Sequence, residues 1–151
     1  MRLETPRSRR TLAFLMAHDE DPFSRWDAGE RLAIDVLVEL AEAARRGEAR
    51  EADPALVEAW GRVLRDASLD GSLRALALGL PAERVVAQEL SPIDPDAIHA
   101  ARERLGRALA SAHADALWSL YDGLAPSAPY VHERGEIDRR RLRGAVLRFL
   151  S

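Results

Sequence analysis

Residues His18 to Leu40, HDEDPFSRWDAGERLAIDVLVEL, form the segment around which the other predicted helices are organised. Asp21 is a typical helix N-cap, and Pro22 suits the first helical position, where its missing N–H donor costs nothing. In the helix that this pair predicts, apolar residues cover most of the circumference. The apolar side comprises Trp26, Ala33, Leu37, Leu40, Ala41 and Ala44, flanked by Leu32, Ile34, Val36 and Val38, and the polar strip comprises Arg31, Asp35, Glu39, Glu42 and Arg46. Such a helix is typical of the interior of a multi-helix stack.

Helical patterns continue on both sides of this segment. Asp53-Pro54 and Asp94-Pro95 repeat the cap-and-proline pair, and Ile93 is spaced to form a hydrophobic staple with Ile98. The predicted helices span residues 8–18, 22–46, 54–66, 69–78, 82–90, 95–121 and 136–150. No segment alternates as a strand would. The sequence therefore predicts an all-α domain, an irregular superhelical stack of antiparallel helices.

Composition argues against several classes of function. The 25 acidic and 22 basic residues leave a formal charge of −3, which gives no general attraction to nucleic acids or anionic membranes. Cysteine is absent, so disulfides and thiolate metal sites cannot form. No apolar run approaches the roughly 20 residues that a membrane-spanning helix needs, and the N-terminal region does not read as a secretory signal. We expect a cytoplasmic protein that binds neither nucleic acid nor membrane.

The residues closest to a catalytic motif are His132 and Glu133 followed by Glu136, which resemble half of the H-E-x-x-H zinc motif. That motif needs a second imidazole one helical turn after the first. Here Glu136 stands in its place. The alternative is that Glu133 and Glu136 favour the N-terminus of the following helix through its dipole, and we prefer it.

Two further groups contain residues that could bind a metal ion. The acidic run His18 to Asp21 could hold a divalent cation, but a solvated loop that ends in an N-cap explains the same residues. His99 and His113 lie near the edge of a helix stripe. We expect both histidines to be solvent-facing or ordinarily hydrogen-bonded.

Arginine and tryptophan supply the remaining candidates. A basic cluster lacks the interleaved aromatic residues typical of a nucleic-acid surface; its members are Arg139, Arg140, Arg141, Arg143 and Arg148. Trp26, Trp60 and Trp118 are expected to pack in the core or between helices. The sequence thus predicts no catalytic, cofactor-binding or metal-binding residue.

A run of structural residues carries a family resemblance. DPFSRWDAGERLA (Asp21–Ala33) resembles the opening of the helical C-terminal domain in the bacterial aminopeptidase N family, the alanyl aminopeptidases of the gluzincin class of zinc metallopeptidases. The likeness continues in order through LETPRSRRTLAFLMAHD (3–19), VEAWGRVLRDASLD (57–70), ALALGLPAERVVAQ (75–88), SPIDPDAIHAARERLGRALA (91–110) and RRRLRGAVLRFL (139–150). It covers nearly the whole chain.

The resemblance implies an armadillo- or HEAT-like fold. Residues 1–7 would be a linker from a preceding domain, and residues 8–151 the front portion of an α-helical C-terminal domain. In this family the H-E-x-x-H motif with its distant Glu, the G-A-M-E-N motif and the transition-state tyrosine belong to parts that have no counterpart here. No catalytic or zinc-binding residue therefore transfers to this chain.

The family removes N-terminal residues from peptides by means of a zinc-activated water. The resemblance implies that this chain, inactive by itself, encloses the active-site cavity and limits access of peptide substrates. Its partners would be the remaining domains of the same aminopeptidase chain, which hold the zinc.

The last helix raises an alternative. Leu142, Val146 and Phe149 form an apolar stripe that ends just before Ser151. We expect this stripe to lack its natural cover, as in a chain truncated at its C-terminus, and therefore to fray or self-associate. The alternative to an aminopeptidase fragment is a freestanding helical interaction module that binds a partner through this stripe. A third reading is a metal-dependent hydrolase that uses His132 and Glu133.

Overall fold

The computed structural model describes residues 6–125 and 133–151 of the chain, with side chains from residue 9 onward. Over these ranges it contains eight α-helices and no strand. The helices are α1 (Pro6–His18), α2 (Pro22–Arg45), α3 (Pro54–Leu64), α4 (Gly71–Leu78), α5 (Glu83–Ala87), α6 (Pro95–Ala112), α7 (Ala114–Gly123) and α8 (Arg134–Leu150). The all-α prediction is confirmed.

Aspartate side chains mark the helix starts. Asp21, Asp53 and Asp94 each accept a backbone N–H from the first turn of α2, α3 and α6, at 3.3, 2.9 and 3.1 Å, and a proline follows each of them. Asp70 caps α4 in the same way, through the N–H of Leu73 at 2.8 Å. Gly47 ends α2 with a φ of 71°, a left-handed conformation that suits glycine.

Helix α2 is the inner helix of the stack. It packs against α1 and α6 over most of its length, and also contacts α3, α4 and α5. Leu32, Val36 and Leu37 are completely buried at its centre. Ala44, assigned to the apolar side, is exposed instead. Asp35, assigned to the polar strip, is buried because an arginine from α1 reaches it.

The predicted helix over residues 95–121 is two helices in the structure. The break lies at His113, whose backbone leaves the helical region with φ −124° and ψ 26°. There the imidazole Nε2–H donates to the carbonyl of Val57 on α3 at 2.8 Å. This tertiary contact lies at the break between α6 and α7, which the apolar periodicity alone does not reveal.

The apolar stripe of α8 is covered, contrary to the sequence-based expectation. Leu142 and Val146 are buried where α8 packs against α4, α6 and α7. Phe149 lies edge-on to the indole of Trp60, with ring centroids 4.8 Å apart. Because helices of this same chain bury Leu142 and Val146, these residues cannot be the exposed surface for the self-association that we expected.

Smaller expectations are met only in part. Trp118 is 52 % exposed and Trp26 is only partly buried, so of the three tryptophans only Trp60 is a core residue. Ile93 is largely exposed, so the staple with the buried Ile98 covers little of it. Helix α1 begins at Pro6, two residues before the predicted start, since proline is tolerated in a first turn.

Candidate functional site

The half-motif at the start of α8 is only partly within the described residues. His132 lies outside them. Glu133 is the N-cap residue of α8, and the carboxylate of Glu136 lies 3.8 Å from Arg139. Within residues 6–125 and 133–151, no group of three or more His, Asp or Glu side chains is arranged to hold a metal ion.

The acidic run before α2 shapes the helix start. Asp19 Oδ1 accepts the backbone N–H of Asp21 at 2.9 Å, and Asp21 Oδ2 accepts the hydroxyl of Ser24 at 2.8 Å. The hydrogen bonds from Ser24 and from the N–H of Phe23 hold the pKa of Asp21 below its ordinary value. These carboxylates therefore organise the turn between α1 and α2.

His113 joins three helices. Its Nε2–H donates to Val57, and its Nδ1 lies 3.1 Å from Nη1 of Arg65, which fits a neutral ring that accepts from the guanidinium. A Cβ at Gly61 would stand 2.2 Å from Cε1 of His113. Gly61 thus makes room for an imidazole whose two nitrogens bind protein atoms.

His99 lies on the surface between α5 and α6. Its Nδ1 is 3.0 Å from Oε1 of Glu83, and its Nε2 is 3.2 Å from Oε1 of Glu103. The hydrogen bond to Glu83 and the charge of Glu103 raise the pKa of His99 above its ordinary value. As with His113, the ordinary hydrogen-bonded role expected from the sequence is what the structure has.

The basic cluster of α8 divides into two faces. Arg139 and Arg143 point towards α7, where they donate to the carbonyls of Ala125 and Tyr121 at 3.4 and 3.3 Å. The guanidinium of Arg143 also stacks 3.9 Å from the centroid of the Tyr121 ring. Arg141 points the other way, towards α4, and donates to the hydroxyl of Ser72 at 3.1 Å.

A polar network that the sequence did not indicate ties α1 to α2 and α3. Arg9 reaches Asp35 at 2.5 Å, Glu39 at 2.7 Å and Asp53 at 3.0 Å. Burial by itself lowers the pKa of Arg9, but its hydrogen bonds to Glu39, Asp35 and Asp53 outweigh that effect and raise it above the ordinary value. These partners lie 26, 30 and 44 residues away, so no local pattern could have identified them.

A second arginine, Arg25, holds the end of α1 against the end of α3. Arg25 donates to the carbonyls of Met16 and Ala17, at 2.9 and 3.2 Å, and to Oδ2 of Asp66 at 2.6 Å. Hydrogen bonds from Ser68 and Arg25 lower the pKa of Asp66 to about 2. Arg25 and Asp66 thus join three consecutive helices.

A groove runs between α4, α6 and α8. It consists of two adjoining depressions of about 600 and 540 Å³ that share Gly79, Ala145 and Arg148. The charged residues that line it are Arg102, Arg107, Arg134, Arg141, Arg148, His99, Asp70 and Glu103. Their balance makes the groove cationic in a chain whose net charge is −3.

Comparison with protein families gives a match over residues 9–151, to a family described as a domain of unknown function (DUF3458_C) with ARM repeats. The match covers nearly the whole chain, and it confirms the armadillo-like fold expected from the sequence.

Individual proteins also match all or most of this chain. The chain is 36 % identical over 151 residues to Aminopeptidase N of Escherichia coli, covering 100 % of this chain and 17 % of that protein. It is 35 % identical to Aminopeptidase N of Caulobacter vibrioides, covering 91 % and 16 %. The chain therefore spans about a sixth of the length of these relatives.

Among solved structures, the fold resembles Legionella pneumophila aminopeptidase A, crystallised in complex with aspartic acid. The TM-score is 0.76 at 20 % identity, over 99 % of this chain and 18 % of that one. This likeness supports the fold alone.

Within the described residues, no helix is long and apolar enough to cross a membrane.

Proposed function

This chain belongs to the DUF3458_C family of ARM-repeat domains, and from that premise we propose that it is a non-catalytic helical part of a zinc-dependent aminopeptidase N. In this proposal the complete enzyme removes N-terminal residues from peptides. The helical part forms a wall around the active-site cavity and limits which substrates enter.

One observation carries the proposal. The whole of this chain aligns at 36 % identity with Aminopeptidase N of E. coli, yet it corresponds to only 17 % of that protein. The remainder of the relative offers ample length for domains that hold the zinc and bind the peptide. We assign both of these roles to domains outside the 151 residues.

The interactions of the described side chains support an architectural role. Arg9 and Arg25 hold α1, α2 and α3 together through carboxylates and carbonyls, and His113 fixes α6 against α3. A stack braced in this way is suited to serve as a rigid wall. Rigidity is needed because a helical wall that deforms would admit large substrates.

The enclosing role can be tested in the complete enzyme by adding bulk to the wall. The 151 residues contain no cysteine, so single cysteines can be placed at exposed positions of different helices: Phe14→Cys in α1, Arg31→Cys in α2, Arg62→Cys in α3 and Trp118→Cys in α7. A cysteine-free background of the complete enzyme serves as the parent. Each variant is labelled with a polyethylene-glycol maleimide or, as its matched control, with N-ethylmaleimide.

At one or more positions we expect the large label, and not the small one, to reduce kcat/KM for a long peptide more than for an alanyl anilide. That selectivity would arise because the label narrows the path of the long substrate only. If the large label changes both substrates in parallel at every position, the wall does not control access and the proposal is wrong.

A further inference from the structure

The groove between α4, α6 and α8 concentrates positive charge. Five arginines and His99 line it beside the carboxylates of Asp70 and Glu103, and Glu83 of α5 lies 3.0 Å from His99 and 3.9 Å from Arg102. Asp70 is engaged as the N-cap of α4, where it accepts the N–H of Leu73. Asp138, the carboxylate beside the groove on α8, accepts the hydroxyl of Ser72 and lies 4.0 Å from Nε of Arg134. Five arginines and His99 thus lie beside four carboxylates, which leaves the groove cationic.

Three of the arginines are regularly spaced along one helix. Arg134, Arg141 and Arg148 follow one another at intervals of seven residues on α8, which keeps them on one face of the helix. They extend over roughly 21 Å along its axis. Arg134 is 86 % exposed, and Arg148 is exposed as well.

Apolar side chains lie beside this row of charges. Leu73 and Leu76 of α4 remain 38 % and 55 % exposed at one end of the groove, although they are large aliphatic residues on a well-packed helix. Leu80 and Phe149 line the other end and are partly buried. Ala145, a small residue, lines both depressions.

We propose that this groove is a docking surface for an acidic amphipathic helix of a protein segment from outside the 151 residues. The apolar face of the incoming helix covers Leu73, Leu76 and Phe149. Its carboxylates pair with Arg134, Arg141 and Arg148, in the helix-in-groove mode of recognition. The inference does not depend on the aminopeptidase assignment, because it follows from the charge and shape of the groove.

The lining favours a protein helix over a nucleic acid. Nucleic-acid surfaces combine cations with exposed aromatic rings or with donors aimed at bases. Here the exposed groups between the cations are leucines, and the partly buried Phe149 is packed against Trp60. Aliphatic side chains gain most from burial under other apolar side chains.

The test uses the 151-residue chain and a fluorescein-labelled helical peptide. The peptide has about 20 residues and is roughly 30 Å long. It carries leucine on one face and glutamate on the other. Fluorescence anisotropy at low and high salt measures binding. The double variant Arg134→Glu/Arg148→Glu reverses two charges of the groove. Arg31→Glu/Arg62→Glu makes the same charge change on α2 and α3, away from the groove, and is the matched control.

We expect the groove variant to lose at least about tenfold in affinity and the control pair to change much less, with binding weakened by salt. Leu76→Ser, at an exposed position, should also weaken binding, because it removes part of the apolar contact. Failure of the peptide to bind the unaltered chain would overturn the inference, as would an equal loss in the control pair. Tighter binding of a single-stranded RNA oligomer through the same arginines would reassign the groove to nucleic acid and also overturn it.

Discussion

The bundle of α1, α2 and α3 and the groove between α4, α6 and α8 use arginine in opposite ways. Arg9 in the bundle is surrounded by three carboxylates from two other segments, one of them almost fully buried. Arg134 and Arg148 in the groove are exposed, and the carboxylate beside Arg134 is Asp138 of its own helix, 4.0 Å away. Carboxylates of other segments thus fix Arg9 in the bundle, whereas Arg148 stays exposed in the groove.

The largest difference between the two regions should appear when an arginine is removed from each. Arg9→Met leaves the Asp35 carboxylate, 1 % exposed, without its guanidinium, and we expect the free energy of unfolding to fall by about 3 kcal/mol. Arg148→Met should change it by no more than about 0.5 kcal/mol, as is usual for an exposed residue. Urea denaturation measures both.

Two further variants control for the loss of the Arg9 side chain itself. Arg10→Met changes the neighbouring, exposed arginine of α1 and should be nearly neutral. Arg9→Met/Asp35→Leu removes both members of the pair and should recover part of the stability, because the buried carboxylate that has lost the Arg9 guanidinium is removed as well. A double variant no more stable than Arg9→Met would show that Asp35 is not the reason for the loss.

Two glycines, Gly61 in the bundle and Gly144 in α8, should respond oppositely to substitution by alanine. In the bundle, a Cβ at Gly61 would collide with His113, so Gly61→Ala should destabilise the chain by about 1–2 kcal/mol despite the better helix propensity of alanine. In α8, a Cβ at Gly144 meets no atom within 4 Å, so Gly144→Ala should stabilise by roughly 0.5–1 kcal/mol. Thermal unfolding distinguishes the two signs, and equal effects would contradict the packing described here.

Acid should weaken the bundle through Asp66. Its pKa is lowered to about 2 in the folded chain, from an ordinary value of 3.8, by hydrogen bonds from Ser68 and Arg25. A lowered folded pKa contributes stability above the ordinary pKa, and this is lost as the pH falls from about 4 towards 2. Unfolding free energies of the chain and of Asp66→Asn should therefore converge over that range. A difference that stays constant with pH would exclude this origin.

The smallest effect is expected at His99, beside the groove. Its raised pKa means that its stabilising contribution is present below pH 6.5 and is lost as the pH rises through the higher folded value. Titration by NMR should give a pKa above 6.5 for His99, and Glu83→Gln should lower it. A pKa at or below 6.5 in the unaltered chain would mean that the contacts with Glu83 and Glu103 do not persist in solution.

Local sequence signals predicted the helices well. The Asp-Pro pairs gave the starts of α2, α3 and α6, and the apolar circumference of α2 identified the inner helix, because both signals arise from residues close together in the chain. The break at His113 could not be predicted in this way, since it depends on a carbonyl 56 residues away. The cover of Leu142 and Val146 was missed for the same reason.

The candidate sites also differ in whether their interacting residues are neighbours in the sequence or come from distant segments. The caps at Asp21 and Asp53 could be recognised from their neighbours, whereas the Arg9 network could not, because its partners come from distant segments. The groove escaped notice since Arg134, Arg141 and Arg148 are combined there with leucines of α4 and arginines of α6. The sequence showed a basic cluster, but only the packing of α8 separates its two faces.

We propose that these 151 residues supply architecture and that the catalytic chemistry lies in other domains. The most direct test is hydrolysis of an alanyl chromogenic substrate by the purified chain, with bound zinc quantified on the same sample. We predict no hydrolysis above the buffer rate and no stoichiometric zinc. Hydrolysis that rises in proportion to bound zinc would contradict the claim and would direct attention to His132 and Glu133.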